Sequence, residues 1–275
     1  ITQTLAGRTA VLKLLPLSIK ELQNSEYKTN DVLELIFKGM YPRIYDRKIP
    51  TSLFYSDYIQ TYVERDVRSI KNIGNISNFI RFVTLCAGRI GQILNIDSLA
   101  TDVGIAPNTA KEWLSVLEAS YIVHLLKPHH KNFNKRLIKR PKLYFYDTGL
   151  ACNLLQIENT QQLDSHFAKG NLFENFIINE LLKKCFNNAK RSNLYYWRDK
   201  HGKEIDCIIQ KANSLIPIEI KSSKTYQKEY FKHLNYWNKL ADNPKENSYL
   251  VYAGDENDNL PNGNLISWKD LEVIT

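Results

Sequence analysis

The 275-residue sequence lacks the features that mark membrane, secreted and zinc-ribbon proteins. No apolar run comes near the roughly 20 residues that span a bilayer. The N-terminal residues lack the basic leader and the small-residue cleavage site of a signal peptide. Only four cysteines are present, Cys86, Cys152, Cys185 and Cys207, and their spacing suits neither a zinc ribbon nor a dense disulfide framework. These absences predict a cytoplasmic chain with free thiols and no membrane partner.

Positive charge, in contrast, is in excess. The sequence contains 37 Lys and Arg against 29 Asp and Glu, and its 43% of hydrophobic residues is ordinary for a globular chain with a core. At roughly 100–200 residues per domain, the length allows one large domain or two to three small ones. Residues 127–142 hold seven Lys or Arg and no acid. Such a basic run is typical of a nucleic-acid contact or, alternatively, of a solvated loop.

The segment before the basic run has the spacing of a helix-turn-helix. Residues 97–104 indicate a short capped helix that is stopped by Gly104. Residues 108–119 indicate a second helix, with Asn108 or Thr109 as its cap. Apolar side chains of both helices recur on one face, which favours packing of the two helices against each other.

Two strand-like runs, residues 121–126 and 142–146, flank the basic run. A helix-turn-helix followed by a β-hairpin describes a winged helix, and the basic run would be its wing. The predicted nucleic-acid contacts are Asn108, Thr109, Lys111, Lys131, Lys135, Arg136, Lys139 and Arg140. The expected partner is a nucleic acid, DNA rather than RNA by expectation, although the sequence itself leaves that choice open. Phosphate contacts from the wing would give affinity without sequence information. Alternatively the module docks a protein, which Glu112 and Glu118 on the second helix would favour.

The first third of the chain gives weaker signals. Residues 10–15 form an apolar, strand-like run that ends at Pro16, and no strand signal lies nearby. We therefore expect residues 1–22 to belong to a domain that lies largely outside this chain. Residues 55–71 and 78–87 have helical spacing. The predicted divisions are 1–22, a helical linker or lid at 23–75, the winged helix at 76–150 and a last domain at 151–275.

The last third predicts the element order α-β-β-β-α-β. The elements are a helix at 171–186, strands at 194–198, 203–210 and 214–222, a helix at 226–240 and a strand at 248–253. On the first helix, Glu174 shares a face with Ile177 and Leu181, so its carboxylate is expected to point inward. Burying that charge costs several kcal/mol unless a cation meets it. Glu180 is expected to be a surface charge.

Two acids face each other across the predicted hairpin of this domain. A tight turn at residues 212–213 places Asp206 opposite Glu219, and Glu204 opposite Lys221. Like charges directly opposite each other are destabilising, whereas a divalent cation that bridges them makes the arrangement favourable. Alternatively these side chains form a solvated face on which Lys221 pairs only with Glu204.

In this order of elements, these residues resemble the PD-(D/E)XK nuclease superfamily. The match consists of Glu174 on the helix, Asp206 as the motif acid and Glu219-Ile220-Lys221 as the (D/E)xK triplet. The resemblance implies a multidomain α+β or α/β chain whose last domain is nuclease-like. It implies that Asp206, Glu219 and the carbonyl of Ile220 bind Mg²⁺. It also implies that Glu174 completes the metal shell and that Lys221 orients the attacking water.

The chain as a whole resembles the C-terminal portion of a prokaryotic AAA+-like ATPase family. The matching phrases are LAGR at 5–8, YVERD at 62–66, LYFYDTGLA at 143–151, LFEN at 172–175 and YYWRDKHGKEID at 195–206. No GxxxxGK[ST] phosphate loop occurs in the sequence, so ATP is expected to act only in a full-length parent with an N-terminal ATPase domain. The resemblance implies that residues 1–22 are the remnant of the ATPase core and that Arg8 is a nucleotide-responsive arginine. It also implies that the parent can form a homo-oligomeric ring.

The sequence is compatible with three functions. The first is the DNA-engaging portion of an ATPase that ends in a Mg²⁺-dependent nuclease domain. The second is a catalytically inactive adaptor that binds nucleic acid or a partner, and the third is a protein-interaction domain that regulates the ATPase domain. Cleavage in Mg²⁺ or Mn²⁺ separates the first from the others. Salt-sensitive binding of nucleic acid separates the second from the third.

Overall fold

The computed structural model describes residues 10–62, 75–129, 139–212 and 214–274. These parts form a mixed α/β protein in which a largely helical first half precedes a six-stranded mixed sheet. Within these ranges, no helix has both the length and the apolar character needed to cross a membrane.

Four short helices come first. They are α1 (Ile19–Gln23), α2 (Val32–Lys38), α3 (Pro42–Asp46) and α4 (Thr51–Thr61). Polar side chains satisfy the free N–H groups at two helix starts, where Ser18 and Glu21 form a capping box and Asp31 caps α2. The helix expected at residues 55–71 begins at Thr51, and its second half lies outside the described residues.

The strand expected at residues 10–15 is wrong. No other strand in the described part of the chain pairs with this run, so its backbone groups have no sheet to join. Val11, Leu12 and Leu14 are 89%, 71% and 88% exposed, and burial begins only at Leu15. The chain then enters α1 and packs into the core through Ile19 and Leu22.

The middle of the chain contains the expected helices and hairpin. The elements are α5 (Ile76–Ala87), α6 (Ile96–Val103), α7 (Pro107–Ala119), β1 (Val123–Leu126) and β2 (Lys142–Phe145). The strands β1 and β2 pair antiparallel, with Val123 opposite Phe145. Gly104 ends α6 at a φ of +83°, a left-handed conformation that glycine adopts without steric cost.

The caps of these two helices differ from expectation. Asn95 accepts a hydrogen bond at the start of α6, before the expected first residue. No side chain caps α7, so the cap predicted at Asn108 or Thr109 is wrong. Pro107 stands in the first turn instead, and it suits that position because it has no N–H to satisfy and its φ is fixed near the helical value.

The last part of the chain confirms the α-β-β-β-α-β order and adds a hairpin that the sequence did not predict. After α8 (Thr148–Leu154) and α9 (Thr160–Ser165) come α10 (Lys169–Asn187), β3 (Leu194–Arg198), β4 (Glu204–Gln210) and β5 (Leu215–Lys221). Next come α11 (Lys232–Ala241), β6 (Tyr249–Tyr252), β7 (Asp258–Leu260) and β8 (Gly263–Ser267).

The sheet has the order β3-β4-β5-β6-β8-β7. The β5–β6 and β6–β8 pairs are parallel and the others antiparallel. Helix α10 packs against β5, while α11 packs against β4 and β5. Ile218 and Ile220 join the core that includes α10, whereas Ile205 and Ile208 join Trp237 of α11 in a second core. The sheet therefore separates two apolar cores.

Asp147 joins α8 to the N-terminal helices. Its Oδ1 accepts from the Tyr55 hydroxyl at 2.6 Å and from the Leu150 N–H at 3.0 Å, and its Oδ2 accepts from the Met40 N–H at 2.7 Å. A side chain at Gly39 would collide with the Tyr55 hydroxyl, so the backbone must approach closely there. We call these five residues the Asp147 junction. The DTGLA phrase thus has a structural role.

The β1–β2 hairpin is fastened both to α10 and to the sheet. The Asn175 side chain of α10 accepts from the Phe145 N–H at 2.7 Å and donates to the Phe145 carbonyl at 2.8 Å. Beyond β1, the His129 N–H donates to the Tyr196 carbonyl at 2.7 Å. One buried apolar cluster runs from Leu15 to Ile274, and the expected domain divisions stay predictions.

Candidate functional site

The strands β4 and β5 pair in the expected register, with Cys207 opposite Ile218. Asp206 and Glu219 come one step further along these strands, and both are buried. A bulge in β4 lies at this point, because Tyr195 pairs with Ile208 but Trp197 pairs with Ile205. The simple alternation expected along β4 therefore breaks beside Asp206. Such bulges redirect side chains and often lie next to active sites.

Asp206 and Glu219, which we call the acid pair, are only partly satisfied. Asp206 Oδ2 accepts from the Ile220 N–H at 2.8 Å. Glu219 Oε1 accepts from Lys221 Nζ at 2.6 Å, and His233 Nδ1 of α11 lies 3.7 Å away. Glu219 Oε2 is buried and has no hydrogen-bond partner among the described residues. Burial raises the pKa of Glu219, and the nearby charge of Asp206 raises it further.

A second group of charges, which the sequence did not predict, adjoins the acid pair. Lys142, at the start of β2, has a side chain only 3% exposed. Its Nζ lies 2.8 Å from Glu174 Oε1 and 2.5 Å from Glu204 Oε1. Burial opposes the charge of Lys142, but the carboxylates of Glu174 and Glu204 outweigh it and raise the pKa of this amine. We call these three residues the Lys142 cluster.

Glu174 points inward as expected, yet its partners are protein groups. Besides Lys142, the Tyr144 hydroxyl donates to its Oε1. Burial raises the pKa of Glu174 to about 7, although Lys142 lowers it and the charge of Asp206 adds to the rise. The charge of Asp206 raises the pKa of Glu174, Glu219 and Lys221. These four residues, which the sequence predicted as catalytic, therefore lie close enough to interact.

Two expectations about charges are wrong. Glu180 is not a surface charge, because its Oε1 pairs with Lys183 Nζ at 2.6 Å and its Oε2 accepts from the Ile19 N–H at 2.8 Å. The segment around α1 covers this face of α10, which helical periodicity alone could not show. The alternative pairing of Lys221 with Glu204 is also wrong, since Lys221 binds Glu219 while Glu204 binds Lys142 and Arg198.

The acid pair, more than the Lys142 cluster, fits a cation. Within the described ranges, no group of three or more His, Cys, Asp or Glu side chains is arranged to hold a metal ion. Asp206 and Glu219 nevertheless offer two adjacent carboxylates with one unbonded buried oxygen, and hard divalent cations prefer such oxygens. Glu174 already meets an amine and a hydroxyl. The carbonyl of Ile220 stays a predicted ligand.

The predicted nucleic-acid residues are only partly within the described structure. On α7, Asn108 and Lys111 are exposed and Thr109 is half-buried. Lys139 and Arg140, just before β2, are exposed as well. The other predicted nucleic-acid residues, Lys131, Lys135 and Arg136, lie outside the described residues, as does Arg8, the predicted nucleotide-responsive arginine. Contact with DNA therefore stays a prediction.

Lys142 is the site residue that sequence reasoning missed, and one signal could have revealed it. The residues that follow it, LYFY, form an apolar run, so a lysine at the start of this strand is expected to be buried with it. A buried amine needs a carboxylate partner. His233 gave no comparable signal, because it lies on the half-exposed side of α11.

Comparison with known proteins divides the chain into two regions. Residues 29–161 match a family model described as a domain of unknown function (DUF8612), and residues 169–271 match a second model described likewise (DUF4143). The uncharacterized proteins Mb2031c of Mycobacterium bovis and Rv2008c of Mycobacterium tuberculosis are each 29% identical to this chain over 225 residues. Each match covers 82% of this chain and 49% of the relative, so the chain spans about half the length of these relatives. No solved structure matches the chain.

Proposed function

We propose that the region from α10 to β8 is a Mg²⁺-dependent phosphodiester-cleaving domain of the PD-(D/E)XK type. We further propose that the region from α5 to β2 is a winged helix that engages DNA. The observation that carries the proposal is the buried, unbonded oxygen of Glu219 beside Asp206 and Lys221. An acid that folding leaves partly unsatisfied costs stability, and such a cost is typical of functional sites.

The chemistry of the acid pair supports this reading. Two adjacent buried carboxylates repel each other, and bound Mg²⁺ would relieve that repulsion and supply positive charge to a phosphodiester. Burial opposes the charge of Lys221, but Asp206 and Glu219 outweigh it and raise its pKa. A charged amine at this position would orient the attacking water and offset negative charge on the phosphate.

The order of elements supports both parts of the proposal. Helix α10, strands β3 to β5, helix α11 and strand β6 follow the α-β-β-β-α-β order that carried the resemblance to the nuclease superfamily. Helices α6 and α7 with the β1–β2 hairpin follow the order of a winged helix. The basic run, whose described end includes Lys139 and Arg140, would contact phosphates.

The test is cleavage of linear and branched DNA in Mg²⁺ or Mn²⁺. We expect Asp206→Asn and Glu219→Gln each to lower the cleavage rate about a thousandfold, which is roughly 4 kcal/mol of transition-state stabilisation. Glu229→Gln, which changes an exposed acid just before α11, is the matched control and should cleave like the parent. Equal cleavage by parent and Asp206→Asn would reject the acid pair as a catalytic site.

A second candidate is a catalytically inactive adaptor. It is favoured by the Lys142 cluster, in which the amine neutralises two acids that would otherwise be available to metal. An adaptor would bind DNA without cleaving it, with an affinity that falls steeply with salt. Replacing Lys135, Arg136, Lys139 and Arg140 together by Ala should flatten the log–log salt slope by about 0.9 for each phosphate that is no longer neutralised. An unchanged slope would place the interface elsewhere, and no binding at low salt would favour a protein partner.

The remaining proposals concern a longer protein. Because the chain spans about half the length of its curated relatives, ATP binding, the role of Arg8 and ring assembly belong to a full-length parent. Cytoplasmic location is likewise a proposal, and it rests on the absence of CxxC pairs and of a dense disulfide pattern.

A further inference from the structure

The acid pair and the Lys142 cluster adjoin each other but differ in how their charges are satisfied. In the Lys142 cluster, Glu174 Oε1 accepts from Lys142 and Tyr144. Glu204 uses one oxygen for Lys142 and the other for Arg198 Nη1 at 3.0 Å. In the acid pair, by contrast, Glu219 Oε2 has no partner within the described chain. The acid pair therefore has a free carboxylate oxygen for a cation, whereas the acids of the Lys142 cluster are already paired with protein cations.

We propose that Lys142 takes the place of a second metal ion, so that the site binds a single divalent cation, at Asp206 and Glu219. This inference rests on the proposed function, since it assumes that the acid pair binds metal. Hydrolytic sites with two cations hold them about 3.5–4 Å apart to stabilise both reacting oxygens. A fixed amine can supply part of that positive charge without metal.

The position of Lys142 makes it suited to this role. It belongs to β2, where it pairs with Leu126 of β1, and not to the sheet that carries the acid pair. The amine reaches α10 through Glu174 and β4 through Glu204, so one side chain joins three elements. Lys142 is also the last residue of the basic run, which directly links the proposed DNA-contacting segment to the proposed metal site.

Removal of the amine should create a second cation site. Without Lys142, the carboxylate oxygens of Glu174 and Glu204 that share its amine would lose their common cation, and Arg198 would still pair with the other oxygen of Glu204. Two carboxylates that share a site strongly favour a hard divalent cation. The Lys142 cluster should thus become a metal site in Lys142→Met, while the acid pair remains as it is.

The experiment counts Mn²⁺ ions bound to the 275-residue chain by calorimetric titration and by the electron paramagnetic resonance of free Mn²⁺. We expect one ion for the parent and two for Lys142→Met. Lys183→Met is the matched control, because it removes another buried lysine that pairs, among the described residues, with a single carboxylate, that of Glu180. This variant should bind one ion, as the parent does.

A second variant keeps the proposal testable if Lys142→Met does not fold. Glu174→Gln retains the shape of the side chain and should bind one Mn²⁺ with an affinity within about threefold of the parent, because Glu174 serves the amine and not the metal. A loss of tenfold or more would make Glu174 a metal ligand and would overturn the proposal.

The number of Mn²⁺ ions bound tests the acid pair and Lys142 separately. A parent that binds no Mn²⁺ contradicts the proposed function and this inference with it. If the parent binds two Mn²⁺ ions, or if a folded Lys142→Met binds only one, Lys142 does not replace a metal ion. The proposal that the acid pair binds metal is unaffected by either result.

Discussion

The Asp147 junction and the acid pair both bury carboxylates, and they differ in how completely these are bonded. Asp147 receives three donors across its two oxygens, from Tyr55, Leu150 and Met40. Glu219 receives one amine on one oxygen, and its other oxygen has no partner in the described chain. Burial raises the pKa of both carboxyls. Burial alone therefore does not distinguish Asp147 from Glu219, whereas the unbonded oxygen of Glu219 beside the charge of Asp206 does.

The largest expected change in stability comes from removing Asp147, the fully bonded carboxylate. Asp147→Ala would leave the N–H groups of Met40 and Leu150 without their side-chain acceptor, while the Tyr55 hydroxyl would keep the Lys38 carbonyl at 3.0 Å. We expect it to lower the free energy of unfolding by about 3–5 kcal/mol. Urea unfolding monitored by circular dichroism measures the change. Asp31→Ala, which removes an exposed cap of α2, is the control and should cost only about 1 kcal/mol. Equal losses in the two variants would show that Asp147 is an ordinary helix cap.

A buried ion pair offers an intermediate case. Glu180 and Lys183 neutralise each other inside the protein. Glu180→Gln would therefore leave the buried Lys183 amine bonded to the Leu17 carbonyl and a neutral amide in place of a carboxylate. We expect a loss of about 1–3 kcal/mol in the free energy of unfolding. The double variant Glu180→Gln with Lys183→Met should recover most of it, because no unpaired charge remains. If the double variant loses as much as the two single variants together, the pair does not act as a unit.

The sequence predicted the acid pair because its pattern is local. Strands β4 and β5 are close in the chain, so alternation and a short turn sufficed to place Asp206 near Glu219. The left-handed end of α6 was equally local, since Gly104 itself supplies the permitted conformation. Short-range patterns thus determined the elements and the register of this hairpin.

The Lys142 cluster and the Glu180 pair could not be predicted in this way. Lys142 meets Glu174 and Glu204 only through tertiary packing, and in the sequence it stands at the end of a run that looks solvated. Glu180 is buried because the segment around Ile19 covers α10 from a distant part of the chain. The strand predicted at residues 10–15 was wrong for the opposite reason. The run has the local pattern of a strand, but no strand in the described structure pairs with it. Which charges are buried is thus set by tertiary packing that periodicity does not encode.

The smallest expected effect has the opposite sign and concerns the partly bonded acid. Because the pKa of Glu219 in the folded protein is raised above the ordinary value of 4.5, its contribution to stability is fully present below that value. The contribution is lost as the pH rises through the folded pKa, where a buried charge must form. We therefore expect Glu219→Gln, without divalent cations, to be more stable than the parent at pH 8 by about 1 kcal/mol.

The difference between Glu219→Gln and the parent should shrink as the pH falls toward 4, where the parent carboxyl is protonated and resembles the amide. Thermal unfolding at several pH values in the presence of a chelator measures it. Asp147→Asn is the matched variant at the fully bonded site and should lower stability at every pH. In either orientation its amide NH2 would face a donor, either the Met40 N–H or the Tyr55 hydroxyl and Leu150 N–H. If Glu219→Gln were less stable than the parent at pH 8, Glu219 would be a satisfied structural acid like Asp147. The unbonded oxygen would then carry no argument for a cation.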